Sequence, residues 1–470
     1  MILKNDPKQI LFIPGEIGSR YNCFDRIEPF SKHEGNPVLS ADKPWEGGVH
    51  WPSFLYSPKD KLFKIWYETI DHNIGKMTKD GTGRFKSFIC YAYSEDGVNW
   101  IKPPVERFYK EQYPGNNIVM EDSGWLGGVA SIIEDLDDPD HSRRYKMLIY
   151  DNEGNSEYHK LKGTEGARTA VSSDGIDWRF IGRFPVLPSQ DTPSLWFDRN
   201  RRRYVAFLKS RFDNLRARMI SYSDDFENWS EPALCLIPDP GDPKTLNFYG
   251  QSAFHHFGSD LGLLSCYDAS TQLAYIELIS APQGIDWRRL PTKPRVLSPG
   301  DPGSWDSGGV YPGIGEPLSD GEKCWIYYTG ESKRHDGSPT RHDKKSCISP
   351  AGVGIASFAP GRLVGQQFEG DGWFRSKPVL CCGGELTLDG IAKNPVKAGI
   401  CSAGYGGQIS GYTIEDCIPV EGDSGSHKIK WKTRSDLNDL RGRYVEIIIY
   451  GTKSMVYGAC FSGDNKDWTK

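Results

Sequence analysis

The chain has 470 residues, enough for two or three domains and a large buried core. Its 52 Gly and 31 Pro beside 14 Trp, 23 Tyr and 21 Phe exclude a protein of long helices, because Gly and Pro interrupt helices while aromatics suit pleated surfaces. A net charge of −5 with both signs interspersed leaves no footprint for a nucleic-acid backbone, and no apolar stretch approaches a membrane span.

The first residues, Met1 to Pro7, place a charge and a proline where a secretory apolar run would stand. The chain as written is therefore expected to be cytoplasmic, and a leader already removed would leave the same reading. Beyond them a unit opens at Trp45-Glu46-Gly47-Gly48-Val49, continues in the β-forming run Leu62 to Tyr67, and reaches the turn Ser94-Glu95-Asp96-Gly97-Val98-Asn99-Trp100. The scheme recurs. Trp125-Leu126-Gly127-Gly128-Val129 opens a second unit, with Tyr145 to Tyr150 as its strong strand and Ser172-Ser173-Asp174-Gly175-Ile176-Asp177-Trp178 as its turn. Asp191 to Leu195 and Phe248 to Gln251 open a third and a fourth, whose turns are the looser copies ending in Trp229 and Trp287. Trp305-Asp306-Ser307-Gly308-Gly309-Val310 opens a fifth, which ends in Gly352 to Phe358 without the Asp-Gly-Trp turn.

Turns repeating roughly every 50 to 80 residues match the size of a four-stranded blade with variable loops. Five openings and five strong strands predict an all-β chain with a five-bladed β-propeller over residues 1–360. Glycine suits the innermost strands, where strands crowd toward the axis. From residue 366 to 470 the pattern changes to short alternating runs between Gly- and Asp-rich turns, which predicts a β-sandwich domain. The 11 cysteines are odd in number and sit mostly in apolar runs, so they read as buried thiols, and no CxxC or HExxH pattern argues for zinc.

This arrangement resembles the superfamily of glycoside hydrolase families 32, 43, 68, 117 and 130, whose members share a five-bladed propeller with the active site at the axis. Family 32 also carries a C-terminal β-sandwich, so the resemblance covers nearly the whole chain. It implies an enzyme that handles a carbohydrate. The family 32 catalytic signatures are not matched: the first blade has Trp45-Glu46-Gly47-Gly48, no Arg-Asp-Pro occurs, and Glu134 and Asp135 lie toward the far end of their strand. The fold and the sugar chemistry carry over, and individual catalytic assignments do not.

Glycoside cleavage needs two carboxyl groups about 5 to 9.5 Å apart, one to protonate the leaving oxygen and one to attack or to activate water. Residues at the starts of inner strands from different blades converge on a propeller's axis. Glu46, Asp191 and Asp306 hold that position in blades one, three and five and are the expected catalytic acids. Glu331, after the second strand of blade five, is an alternative proton donor, although Glu68 and Asp151 in comparable places suggest a periodic surface position. Aromatic faces and planar donors recognise sugars. The expected substrate ligands are His50, Trp51, Trp125, Arg168, Arg211, Tyr249, Gln251, Trp305 and His335, against the background that most propeller tryptophans pack between blades.

The reading is a glycoside hydrolase acting on a small oligosaccharide or glycoside, with furanosides such as fructosides and arabinosides among the candidates. The alternatives are a non-catalytic carbohydrate-binding propeller and a phosphorylase or transferase on the same fold, for which Arg168 and Arg211 are too few to argue a phosphate pocket. No cofactor or metal is expected, an axial structural cation being possible without specific ligands, and neither nucleic acid nor membrane is an expected partner. A homo-oligomer stays open.

Overall fold

The computed structural model describes residues 9–71, 86–121, 129–151, 166–182, 185–281, 286–337, 351–404 and 406–463. Regular structure there is almost wholly β, in five small sheets and one nine-stranded sheet. Blade one is His50–Ser57, Leu62–Asp71, Lys86–Ser94 and Ile118–Glu121 from the axis outward. Blade two runs from Ala130–Glu134 through Tyr145–Asp151 to Gly166–Ser172 and Arg179–Ile181; blade three is Ser194–Asp198, Arg203–Phe212, Leu215–Ser223 and Ala233–Leu236. Blade four starts with Leu246–His256, Ser259–Asp268 and Leu273–Ser280, and blade five is built on Gly309–Pro312, Cys324–Glu331 and Gly352–Phe358.

The repeated turn lies between the third and outermost strands, and its chemistry explains its sequence. In blade two, Asp174 Oδ1 accepts from the backbone N–H groups of Ile176 and Asp177, and Ser172 Oγ accepts from Gly175 N–H. Gly175 takes φ +82°, and a Cβ there would lie 2.6 Å from the Trp66 ring of blade one, so only glycine fits. Its carbonyl accepts from Trp66 Nε1 at 2.7 Å, so the turn also fastens one blade to the next. Blade three departs from the rule by seating Phe226 at φ +67°.

The core lies between blades. Trp66, Tyr145 and Met147 fill the contact of blades one and two, Leu148, Leu195 and Leu208 that of two and three, and Phe207, Phe248 and Trp287 that of three and four. Small hydroxyls tie the innermost strands together: Ile132 N–H donates to Ser53 Oγ, Leu195 N–H to Ser131 Oγ, and Ser194 Oγ to the Gln251 carbonyl. Blade five joins blade one through Phe54 N–H to Ile314 O and Ile314 N–H to Pro52 O.

Two features are absent from the sequence reading. Ser31–Lys32 and Leu39–Ser40 pair with Gly352–Phe358, so an early segment supplies the outer edge of blade five and closes the ring. Before it, Gln9–Leu11 pairs with Met455–Phe461 and Ile17–Ile27 with Val364–Ser376, so these strands, expected within a propeller spanning 1–360, hydrogen-bond to the C-terminal sheet. In that sheet the halves of Val364–Ser376 and of Leu386–Ser402 each pair with different neighbours, Tyr444–Thr452 and Met455–Phe461, around a separate core of Phe12, Phe368, Phe374, Leu388, Ile447 and Trp431. This nine-stranded sheet with its own core occupies the region expected to form a sandwich. The ten described cysteines are free thiols, eight of them buried.

Candidate functional site

At the axial mouth where the inner strands begin, side chains of four blades meet around one ring, Tyr249. The Leu246–His256 strand of blade four slips register between Phe248 and Gln251, which turns Tyr249 out of the ladder. Trp51 of blade one does the same with φ +47°, its N–H captured by Thr329 Oγ1 of blade five at 2.8 Å. Two bulges thus aim two aromatics at each other: their rings lie nearly parallel with centroids 5.8 Å apart. Tyr311 sits 5.0 Å from Trp51 and 5.9 Å from Tyr249, and the His335 ring is 5.2 Å from Tyr249 and 4.6 Å from Tyr267.

Acids and bases of three blades border this aromatic wall. His50 lies directly opposite Glu68 in the blade-one ladder, and its Nδ1 is 3.4 Å from Glu331 Oε1 of blade five. The imidazole packs back onto Gly48, where a Cβ would lie 2.5 Å from its Nε2, which gives the Gly47-Gly48 pair its reason. Asp191 of blade three forms an ion pair with Lys209, whose ammonium stands 4.0 Å from the Tyr249 centroid. Arg216 lies 5.2 Å from the same centroid and 5.6 Å from that of Tyr267.

The electrostatics follow from this crowding. Burial pulls the His50 imidazole down, but its hydrogen bond to Glu331 and the charges of Glu331 and Glu68 outweigh that and raise it. His335 shifts downward, first through burial and then through Arg216 and Lys209, with Glu331 opposing. Burial pushes the Tyr249 phenol up to about 12, against Arg216 and with Glu331 and Glu68. Two imidazoles shifted in opposite directions, His50 upward and His335 downward, thus flank Glu331 in one site.

Of the expected catalytic acids, Asp191 and Glu331 reach this mouth. Glu46 does not: its fully buried carboxylate accepts from Tyr67 Oη at 2.6 Å, from Lys102 Nζ at 2.7 Å and from the backbone N–H groups of Asp42 and Lys43. Side chains at an opening turn inward when such partners exist, which the blade pattern does not encode. Asp306 is likewise consumed within blade five, where Lys32 Nζ at 2.6 Å, Tyr328 Oη and Ser304 Oγ surround it. Its neighbour Trp305 packs on Tyr328, over Gly330 and Gly354, instead of lining the funnel.

Among the expected ligands, His50, Trp51, Tyr249 and His335 lie together at this mouth. Arg168 is engaged by Asp151 at 3.2 Å and lies 3.7 Å from the Phe180 centroid, and Arg211 is exposed on a hairpin, donating to the Asn214 carbonyl. Gln251 is buried beside Tyr249, and its side-chain amide has no hydrogen-bond partner among the described residues. Trp125 lies outside the described residues. Glu68, Lys209, Arg216 and Tyr267 belong to the site although the sequence reading did not include them as ligands. The signal for Glu68 was present: like Glu331 it follows the aromatic run of a second strand, and both pair with the start of the inner strand.

A cavity of about 250 Å³ opens at the other end of the channel, between Leu55, Ile133, Phe197 and Leu318. Of its acids, Glu134 and Asp135 are held by Arg144 and Lys146, Asp137 lies 3.7 Å from Arg202, and Glu316 also lines the cavity. Among the described residues no group of three or more His, Cys, Asp or Glu is arranged to hold a metal ion.

No protein-family model matches the sequence. No curated protein matches it either. Among solved structures, the chain is similar to an N-acetylgalactosamine deacetylase from F. plautii in complex with blood group B trisaccharide, at 16% identity over 72% of this chain and 96% of that one, TM-score 0.45. It is similar to a beta-1,2-mannobiose phosphorylase from Listeria innocua at 11% identity over 70% and 96% of the two chains, TM-score 0.47. A fructofuranosidase from Schwanniomyces occidentalis complexed with fructosylnystose matches at 9% identity over 93% and 98%, TM-score 0.45.

Proposed function

We propose that the chain is a glycoside hydrolase whose active site is the Tyr249 mouth and whose substrate is a small oligosaccharide or glycoside. One observation carries this reading: carboxylates of different blades, Asp191 through Lys209 and Glu331 through His50, border the ring cluster of Trp51, Tyr249 and Tyr311, and paired acids are what glycosidic cleavage uses. The aromatic wall takes the C–H face of a sugar ring. Glu331, coupled to His50, belongs to a pair that holds a proton and passes it to the leaving-group oxygen. Asp191, steadied by Lys209, serves the anomeric carbon, either by attack or by activating water.

The test is turnover of a panel of fructosides, arabinosides, galactosides and glucosides by wild type, Glu331→Gln and Asp191→Asn. General acid–base and nucleophilic groups contribute about 10²- to 10⁴-fold, and losses of that size in kcat are expected with substrate binding retained. Binding by the wild type without turnover of any member would replace the hydrolase reading with a sugar-binding propeller.

A further inference from the structure

Blade three presents an excess of positive charge to this site. In the ladder of Arg203–Phe212 with Leu215–Ser223, Lys209 stands opposite Arg218, and Arg211 opposite Arg216. Directly paired residues project to the same side of a sheet, so four cations share one face, an arrangement that costs stability unless something negative compensates. Asp191 answers Lys209. Arg211, Arg216 and Arg218 have no carboxylate partner among the described residues.

Elsewhere in the propeller several described cations with little exposure are matched. Arg144 meets Glu134 and Asp60, Lys146 meets Asp135 and Asp138, and Arg289 meets Glu277 and Asp242. The three unmatched arginines differ from one another. Arg211 is exposed on its hairpin. Arg218 is fully buried and spent on the floor of the site, donating to Thr192 Oγ1 and to the carbonyls of Thr192, Tyr249 and Phe207. Arg216 is half-buried, its guanidinium has no hydrogen-bond acceptor among the described residues, and it lies against Tyr249 and Tyr267 beside His335. A guanidinium held between aromatic rings with all its N–H donors unspent matches the planar fork that binds an oxyanion.

We infer that Arg216, with Lys209 on the same Tyr249 ring, forms an oxyanion subsite that takes either the carboxylate of an acidic sugar or inorganic phosphate. This rests on the Tyr249 mouth being a sugar site. A carboxylate there would make the substrate a uronate; phosphate would make the acceptor in cleavage phosphate instead of water.

The experiment is isothermal titration of the whole chain with matched methyl glycosides, galactoside against galacturonide and glucoside against glucuronide, and with inorganic phosphate. The same titrations are made on Arg216→Gln and Arg216→Lys, with near-UV circular dichroism to verify the fold. A uronate bound at least tenfold tighter than its neutral counterpart identifies an acidic sugar, and saturable phosphate binding identifies phosphate. In either case Arg216→Gln loses the preference tenfold or more and Arg216→Lys keeps part of it. Neutral glycosides binding as well as uronates, no phosphate binding and no effect of Arg216→Gln would overturn the oxyanion subsite and leave the sugar site standing. Absence of binding by every probe overturns both.

Discussion

Tyr249 and Glu46 show how differently two residues at neighbouring openings are used. Tyr249 contacts three aromatics, two cations and a histidine, yet it is only partly buried. Replacing it by Ala is expected to weaken sugar binding about tenfold or more, since one aromatic contact is worth up to about 1.5 kcal/mol beyond its area, while the melting curve changes little. Glu46→Gln behaves in the opposite way. It removes one of the two carboxylates on Lys102, Asp42 being the other, and is expected to cost about 1.5 to 3 kcal/mol in urea denaturation, with turnover per folded molecule unchanged. A normal unfolding midpoint with abolished turnover would return Glu46 to the catalytic set. Sequence spacing could locate the openings but not the direction of each side chain, because both key aromatics are turned by bulges, at Trp51 and at Tyr249, that break the period of two.

The element that decides the ring is the short pair Ser31–Lys32 and Leu39–Ser40. It reaches blade five through few backbone hydrogen bonds, and polar side chains complete the joint: Asn36 receives the Ile355 N–H and donates to its carbonyl, while Lys32 meets Asp306. Among the described residues Lys32 is the only cation paired with Asp306, a nearly inaccessible carboxylate, and Lys32→Met removes it. The loss is expected to be about 2 kcal/mol, the partial exposure of Lys32 holding it below the usual figure for a closed pair. Equilibrium unfolding of that variant and of Asp306→Asn, alone and combined, checks the coupling; additive losses would mean that the two groups act independently. The blades themselves were legible, because Ser-x-Asp-Gly-x-x-Trp repeats a turn whose geometry only certain residues accept. The closing strand was not, since a two-residue β-ladder carries no periodicity and its partner lies far along the chain.

For the whole molecule, the joint between propeller and sandwich makes stability depend on acidity. His256 of blade four is buried among Phe254, Phe257 and Phe358, and its Nε2 accepts from Gly361 N–H at 3.0 Å in the segment leading to the sandwich. Burial lowers its pKa from the ordinary 6.5 to about 3, so the imidazole is neutral when folded and the unfolded chain takes up the proton first. The stability it supplies is complete above pH 6.5 and is lost as pH falls toward 3, with about 2 kcal/mol gone between pH 7 and pH 5. His335, also lowered, adds to this trend, and His50, raised, opposes it. Urea titrations at the two pH values should show His256→Phe with a markedly smaller difference than wild type. An unchanged difference would mean that other groups set the acid sensitivity.

The ring's closure also bears on how the chain is made. Asn36 and Ile355 are 319 residues apart, so at a synthesis rate of about 5 to 20 residues per second the early half of the joint waits roughly 15 to 60 s for its partner to leave the ribosome. Throughout that interval a strand edge has nothing native to pair with, the condition under which neighbouring nascent chains exchange strands. Slower translation lengthens that exposure, and the risk ends only when the last blade arrives.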